Sequence, residues 1–172
     1  MKFRKIFVPL MLSAVISIIS CTGNSDKKNV HSGVEYYRAL QFSETPYDIE
    51  KGTHPLTADK AKAINSYKFT YDKTGHLLSV EYVRNNVLLG YSSMQGAAKI
   101  TYDYSASLQT KHYFDKDNNP IEAAGIFAAQ YSLDPGGNRT GLMFLGKDGS
   151  IVENRNKIHS YTWSVLPNGM VR

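Results

Sequence analysis

From residue 66 onward the chain runs in short stretches of alternating apolar and polar side chains, and the stretches recur. Aligning the tight-turn candidates Gly75, Ala106, Gly137 and Gly169 gives spacings of 31, 31 and 32 residues. Eight residues before each turn stand Tyr67, Ala98, Ala129 and Tyr161; six before, Phe69, Ile100, Tyr131 and Trp163; four before, Tyr71, Tyr102, Leu133 and Val165. All are apolar or aromatic. Between them lie Lys68, Lys99, Gln130 and Thr162, then Thr70, Thr101, Ser132 and Ser164, all polar. A period of two in β-branched and aromatic residues predicts a strand with one buried and one wet face. Asp72, Asp103 and Asp134 follow, and their carboxylates are expected to accept from backbone N–H groups two residues on and so start the turn; the fourth unit has Leu166-Pro167 there. Ala106 stands where the other turns have glycine, so the second turn should be the most distorted. Further turns are expected at Asn85-Asn86, Asp117-Asn118-Asn119 and Asp148-Gly149. Each unit reads as strand, turn, strand, turn and short strand. The expected fold is all-β, an antiparallel meander of about three and a half 31-residue β-hairpin repeats.

One insertion breaks the period. Val34-Glu35-Tyr36-Tyr37-Arg38 matches Val80-Glu81-Tyr82-Val83-Arg84 at a separation 15 residues longer than one repeat, and the excess falls in residues 43–65. There Thr57 can cap a short helix over Ala58 to Ile64, with Asp59 near its positive end. This inserted helix is expected to pack across one end of the sheet. At the other end of the chain, only Met170, Val171 and Arg172 follow the expected turn at Asn168-Gly169, so the strand Ile158 to Val165 should lack its return partner. Three outcomes would satisfy that edge: a longer repeat protein of which this chain is a part, closure by the strand near Val34 to Leu40, or pairing with a partner or a second copy. The first and last are the favoured expectations.

The first 20 residues follow a different pattern: Lys2, Arg4 and Lys5, then an apolar stretch from Ile6 to Ile19 broken by Pro9, Ser13 and Ser17, too short for a comfortable membrane span. The end of that stretch, Ile18-Ile19-Ser20-Cys21, resembles the bacterial lipobox. The resemblance implies a signal peptide over 1–20 and acylation of Cys21, the single cysteine of the chain. Two or three acyl chains, at about 0.8 kcal/mol per buried methylene, would anchor the protein to a membrane in the cell envelope. Thr22, rather than Asp, follows the cysteine, which in the enterobacterial sorting rule implies the outer membrane. Residues 21–33, polar and rich in Asn, Ser, Asp and Lys, read as the lipidated cysteine and a flexible tether, and 34–172 as the β-repeat domain.

Tyr71-Asp72 with Gly75, Tyr102-Asp103, and Asp134 with Gly137 resemble the Tyr-Asp/Gly hairpin repeats of bacterial secreted and lipoprotein β-proteins, and more distantly the YD repeats of Rhs-type toxins. Rhs shells close around a cargo with dozens of shorter repeats, so encapsulation is not implied, and no activity is carried over.

Composition then narrows the partners. The 172 residues are 42% hydrophobic, 12% aromatic and 20% charged, as in a globular chain. The net charge of +5 falls to +2 without Lys2, Arg4 and Lys5, which gives no reason to expect nucleic acid. No two of His31, His54, His76, His112 and His159 fall two to four residues apart, so no metal pair is preformed and neither metal nor cofactor is expected. Asp115-Lys116-Asp117-Asn118-Asn119 opens like a calcium loop but has Pro120 at the sixth position and Ile126 at the twelfth, and reads better as a hairpin turn. Gly136 to Gly141 lacks the Lys-Ser/Thr of a phosphate loop and also reads as a turn. No catalytic residue is singled out. The 12 tyrosines are mostly expected core, with Tyr36, Tyr37, Tyr47, Tyr91, Tyr104 and Tyr113 left as candidates to line a groove. The expected function is a membrane-anchored envelope lipoprotein whose β-domain is a binding or scaffolding module. The alternative is an envelope enzyme acting on glycan or peptide.

Overall fold

The computed structural model describes residues 31–41, 49–90 and 94–164. Cys21, Val165 and the expected turn at Asn168-Gly169 lie outside them. The strands, in chain order, are β1 (Gly33–Leu40), β2 (Gly52–Leu56), β3 (Ser66–Tyr71), β4 (Leu77–Arg84), β5 (Val87–Leu88), β6 (Lys99–Tyr104), β7 (Leu108–Phe114), β8 (Ala128–Leu133), β9 (Arg139–Leu145) and β10 (Ser160–Thr162), with one helix, α1 (Ala58–Ala63), between β2 and β3. They form one open, antiparallel sheet in the order β10-β9-β8-β7-β6-β4-β3-β1-β2, with β5 paired to β4. The all-β meander is as the alternation predicts.

The repeat is visible in the backbone hydrogen bonds. At the end of the second strand of each hairpin, the chain turns and a short segment folds back along it: Leu89 N donates to Tyr82 O, Ile121 N to Tyr113 O and Val152 N to Phe144 O, at 2.9, 3.0 and 2.9 Å. The rest of that strand's edge takes the first strand of the next unit, as in Ser79↔Thr101 and Lys111↔Ala129. Five turns share one geometry in which the first residue's N–H donates to the carbonyl four residues on, and its own carbonyl accepts from three residues on. They begin at Asp72, Asp115, Asp134, Gly146 and Asn154. The fourth residue of each has positive φ: Gly75, Asn118, Gly137, Gly149 and Lys157. Glycine fills that place three times because it alone adopts the conformation without a Cβ penalty.

Asp103 departs from expectation. It does not start a turn but lies in β6 opposite Thr110, and its Oδ2 sits 3.1 Å from His112 Nε2. With Ala106 in place of glycine, the hairpin runs two residues longer and closes over Ser105 to Ser107, with Ser105 N donating to Leu108 O at 2.9 Å.

In the insertion, Thr57 caps α1 through its side chain, which accepts from Lys60 N, and Asp59 stands in the first turn. The helix carries the chain from β2, outside β1, across to β3 on β1's other side. β1 therefore sits beside β3, not beside β10, and closure of the β10 edge by the strand near Val34 is ruled out.

One face of the sheet carries the core. Tyr67, Phe69, Leu77, Val80, Ile100, Tyr102, Tyr113, Ala129, Tyr131, Leu142 and Phe144 cluster there, and the loops between units add Met94, Ala97, Ala123 and Ile126 as a cover. The opposite face is polar: Lys68 and Lys99 flank Glu81 at 2.8 and 3.9 Å. Thr70, Thr101 and Ser132 lie on this outer face as the alternation predicts. Tyr102 is buried, whereas Tyr71 and Leu133, expected beside it, are partly buried.

Candidate functional site

The repeat register shows where the inner face departs from a simple apolar core. At 31-residue spacing along the sequence, Lys111 aligns with Val80 and Leu142, and Arg139 with Leu77 and Leu108; in the ladder, where the second hairpin is two residues longer, Tyr113 takes the place opposite Ile100 that Val80 and Leu142 take opposite Phe69 and Tyr131, and Lys111 lies opposite Tyr102. Lys111 is 6% exposed and Arg139 4%, and Gln109, next to Lys111 on the inner side of β7, is 5% exposed. Two cations and an amide thus stand near the middle of the sheet where apolar side chains would cost nothing to desolvate.

Each is held by specific neighbours. Glu50, from the segment leading into β2, accepts from Lys111 Nζ and from the Tyr102 hydroxyl. The Lys111 ammonium also lies 5.3 Å over the Tyr113 ring. Burial works to lower the lysine pKa, but Tyr113 and the Glu50 carboxylate outweigh it and hold the group above the usual lysine range. Burial pushes the Tyr113 phenol up to about 12, so it stays protonated.

Beside this pair a hydrogen-bond chain joins residues of four strands, β9, β7, β6 and β4. Arg139 Nε donates to Gln109 Oε1 at 2.8 Å, Gln109 Nε2 to the Tyr104 hydroxyl at 2.7 Å, and that hydroxyl to Leu77 O at 3.0 Å. The Arg139 guanidinium lies 3.5 Å above the centre of the Tyr131 ring, and Trp163 Nε1 donates to Arg139 O. Tyr104 is half-buried and stacks on His76 with ring centres 4.6 Å apart. The arrangement presents two cations, hydroxyl and amide donors and aromatic faces, a set suited to orienting a polar or anionic ligand.

A second feature lies at the β1 side, an open groove of about 400 Å³ lined by His31, Glu35, Tyr37 and Pro55 among others. Glu35 accepts from the Tyr37 hydroxyl at 2.6 Å and sits 2.9 Å from His31 Nδ1, while the His31 ring stacks on Tyr71 at 5.0 Å. Burial works to raise the Glu35 pKa, but the hydrogen bonds from Tyr37 and His31 prevail and lower it.

Of the tyrosines expected to line a groove, Tyr37, Tyr104 and Tyr113 are on the inner face. Tyr36 points the other way, its hydroxyl donating to Asn86, and Tyr47 and Tyr91 lie outside the described residues. The five histidines are dispersed: His76 belongs to the Asp72 turn, His112 pairs with Asp103, and His159 contacts Ser160. Among the described residues no three His, Cys, Asp or Glu side chains gather to hold a metal. The Asp115 segment is a hairpin turn whose carboxylate accepts from Asp117 N and Asn119 N. Glu50, Gln109, Lys111 and Arg139 were not singled out by sequence motif. The signal that reveals Lys111 and Arg139 is a charged residue aligned at 31-residue spacing with apolar ones; Gln109 and Glu50 carry no such signal.

No protein-family model matches the chain, and neither the curated proteins nor the solved structures yield a match.

Proposed function

We propose that this chain is a lipoprotein of the bacterial cell envelope, anchored through acyl chains on Cys21, whose β-repeat domain is a binding or scaffolding module with the inner face as its binding surface. The observation that carries the binding surface is Lys111, buried on the inner face opposite Tyr102. A cation that is costly to bury, placed among the apolar side chains of the inner face, marks a position selected for something other than packing. The anchor rests on the Ile18-Ile19-Ser20-Cys21 resemblance alone, and it needs no membrane-seeking surface on the domain itself. No helix among the described residues is long and apolar enough to cross a membrane.

Two experiments test the two halves. Metabolic labelling with palmitate should mark the wild-type protein and not Cys21→Ala; equal labelling overturns the anchor. A photo-crosslinking residue at Tyr104, on the inner face, should capture partners in intact cells where the same residue at Thr101, on the outer face, does not. Capture from Thr101 alone would move the binding surface to the polar face.

The enzyme reading draws on the Glu35–His31 pair in the β1 groove. The pair brings together one carboxylate and one imidazole, which is fewer groups than paired-carboxylate hydrolysis requires. If it were catalytic, Glu35→Gln would abolish a glycan- or peptide-cleaving activity of the purified protein while leaving inner-face cross-links intact.

A further inference from the structure

β1 has a strand on each side, and the two do not cover the same residues. β3 lies against Gly33 to Tyr37, whereas β2 lies against Tyr36 to Leu40, after which the chain leaves for α1. Among the described residues, Gly33 to Glu35 therefore have a strand on the β3 side only. Every second residue of an antiparallel strand turns its N–H and C=O to a given side, so this half of β1 presents an open edge. The groove of about 400 Å³ lies there. Val34 and Tyr36 from the outer face and Glu35 and Tyr37 from the inner face line it, with Pro55 and Ala58 where β2 gives way to the helix. Glu35 accepts from the Tyr37 hydroxyl at 2.6 Å, and His31 Nδ1 sits 2.9 Å from both its oxygens. Against the burial that would raise its pKa these bonds lower it, and a carboxylate with about four acceptor positions has capacity left. Among the described residues that line the groove there is no lysine or arginine. Val34, one position earlier and on the opposite face, is 49% exposed.

We propose that this edge is a docking site for an extended peptide segment of a partner protein, which pairs with Gly33 to Glu35 as an added strand and sets a lysine or arginine side chain opposite Glu35 and an apolar one opposite Val34. Successive side chains of such a strand point to opposite faces, so the two requirements fall on neighbouring positions of the peptide. Backbone pairing supplies an attraction indifferent to sequence. The cation on Glu35 and the apolar contact at Val34 supply the choice of partner. The site is separate from the inner-face surface around Lys111.

A fluorescent peptide Ser-Val-Lys-Val-Ser, blocked at both ends and titrated with the full-length protein by anisotropy, tests this. It should bind; norleucine in place of its lysine should weaken binding about tenfold, and glutamate there should abolish it. Methylation of the peptide's backbone nitrogens, which removes the ladder donors and keeps the side chains, should also abolish it. Glu35→Gln should bind the lysine and norleucine peptides equally. Ala58→Phe, which fills the groove from an exposed position and leaves Glu35 in place, should bind neither, and it serves as the test if Glu35→Gln does not fold. Equal binding of the lysine, norleucine and glutamate peptides, or binding of none, overturns the proposal. So does a gain in affinity when Lys27 and Lys28 are replaced by serine, which would make the chain's own N-terminal segment the occupant. A concentration-dependent dimer in light scattering that Glu35→Gln dissolves would overturn it in favour of a second copy. None of these results bears on the cross-links expected from Tyr104.

Discussion

Ser66 shows how a single side chain can be buried without contributing what its chemistry offers. It is 0% exposed, pairs with Val83 across β3 and β4, and its hydroxyl has no hydrogen-bond partner among the described residues. A buried donor without a partner keeps its desolvation cost. Ser66→Ala is therefore expected to leave stability unchanged or raise it by up to about 1 kcal/mol in chemical denaturation; a loss above that would mean the hydroxyl is engaged. Phe69, also 0% exposed, lies at the centre of the inner cluster, whereas Thr70 is on the outer face. Phe69→Ala should cost about 3–5 kcal/mol and Thr70→Ala well under 1. Equal losses would mean the strand register is wrong, because a one-residue slip exchanges the faces.

The turns are where the elements depend on pH. The Thr74 hydroxyl, with the backbone N–H groups of His76 and Thr74, holds Asp72 down to about 2, and Asp115, Asp134 and Asp148 are also lowered by hydrogen bonds within their turns. Carboxylates whose folded pKa lies below the unfolded value contribute stability that is complete above the unfolded value of 3.8 and lost as pH falls through the folded value. The melting temperature should thus be flat from neutral pH to about 5 and drop toward pH 2. Asp72→Asn keeps an acceptor without a titrating proton, as Asn154 does in its own turn, and should make that drop shallower. The same turns show what the sequence makes legible. An Asp or Asn with a glycine or asparagine three residues on marks the turns beginning at Asp72, Asp115 and Asp134, since the signal is local. Asp103 shares the aspartate but has Ala106 three residues on, and it is a strand residue, because without glycine at position 106 the ladder extends by two residues instead. β2 was not anticipated: only a helix was expected in the insertion, and it is the place of Gly52–Leu56 beside β1 that makes it a strand.

At the scale of the molecule, the faces of the sheet were legible and the site was not. Alternation sorts each strand into wet and dry positions, so the core could be read from Tyr67, Phe69, Ile100 and Tyr131 without a structure. Lys111 and Arg139 hold dry positions, and only the match with Val80, Leu142 and Leu77 at 31-residue spacing separates them from ordinary surface charge. Glu50 could not have been assigned at all, since its partner is 61 residues away.

That separation also has a meaning in time. Every hairpin in the sheet joins neighbours along the chain, so most pairing closes short loops and can form early. The Glu50–Lys111 tie closes a loop of 61 residues between an insertion and a strand that must already be in place, and it belongs to the last stage of folding. Glu50→Gln is accordingly expected to speed unfolding while leaving the refolding rate nearly unchanged, a φ-value near 0 in stopped-flow measurements. A φ-value near 1 would place this contact in the folding nucleus instead. The group that closes the face is on this account the first to let go: the chain can open its centre while the ladders on either side remain paired.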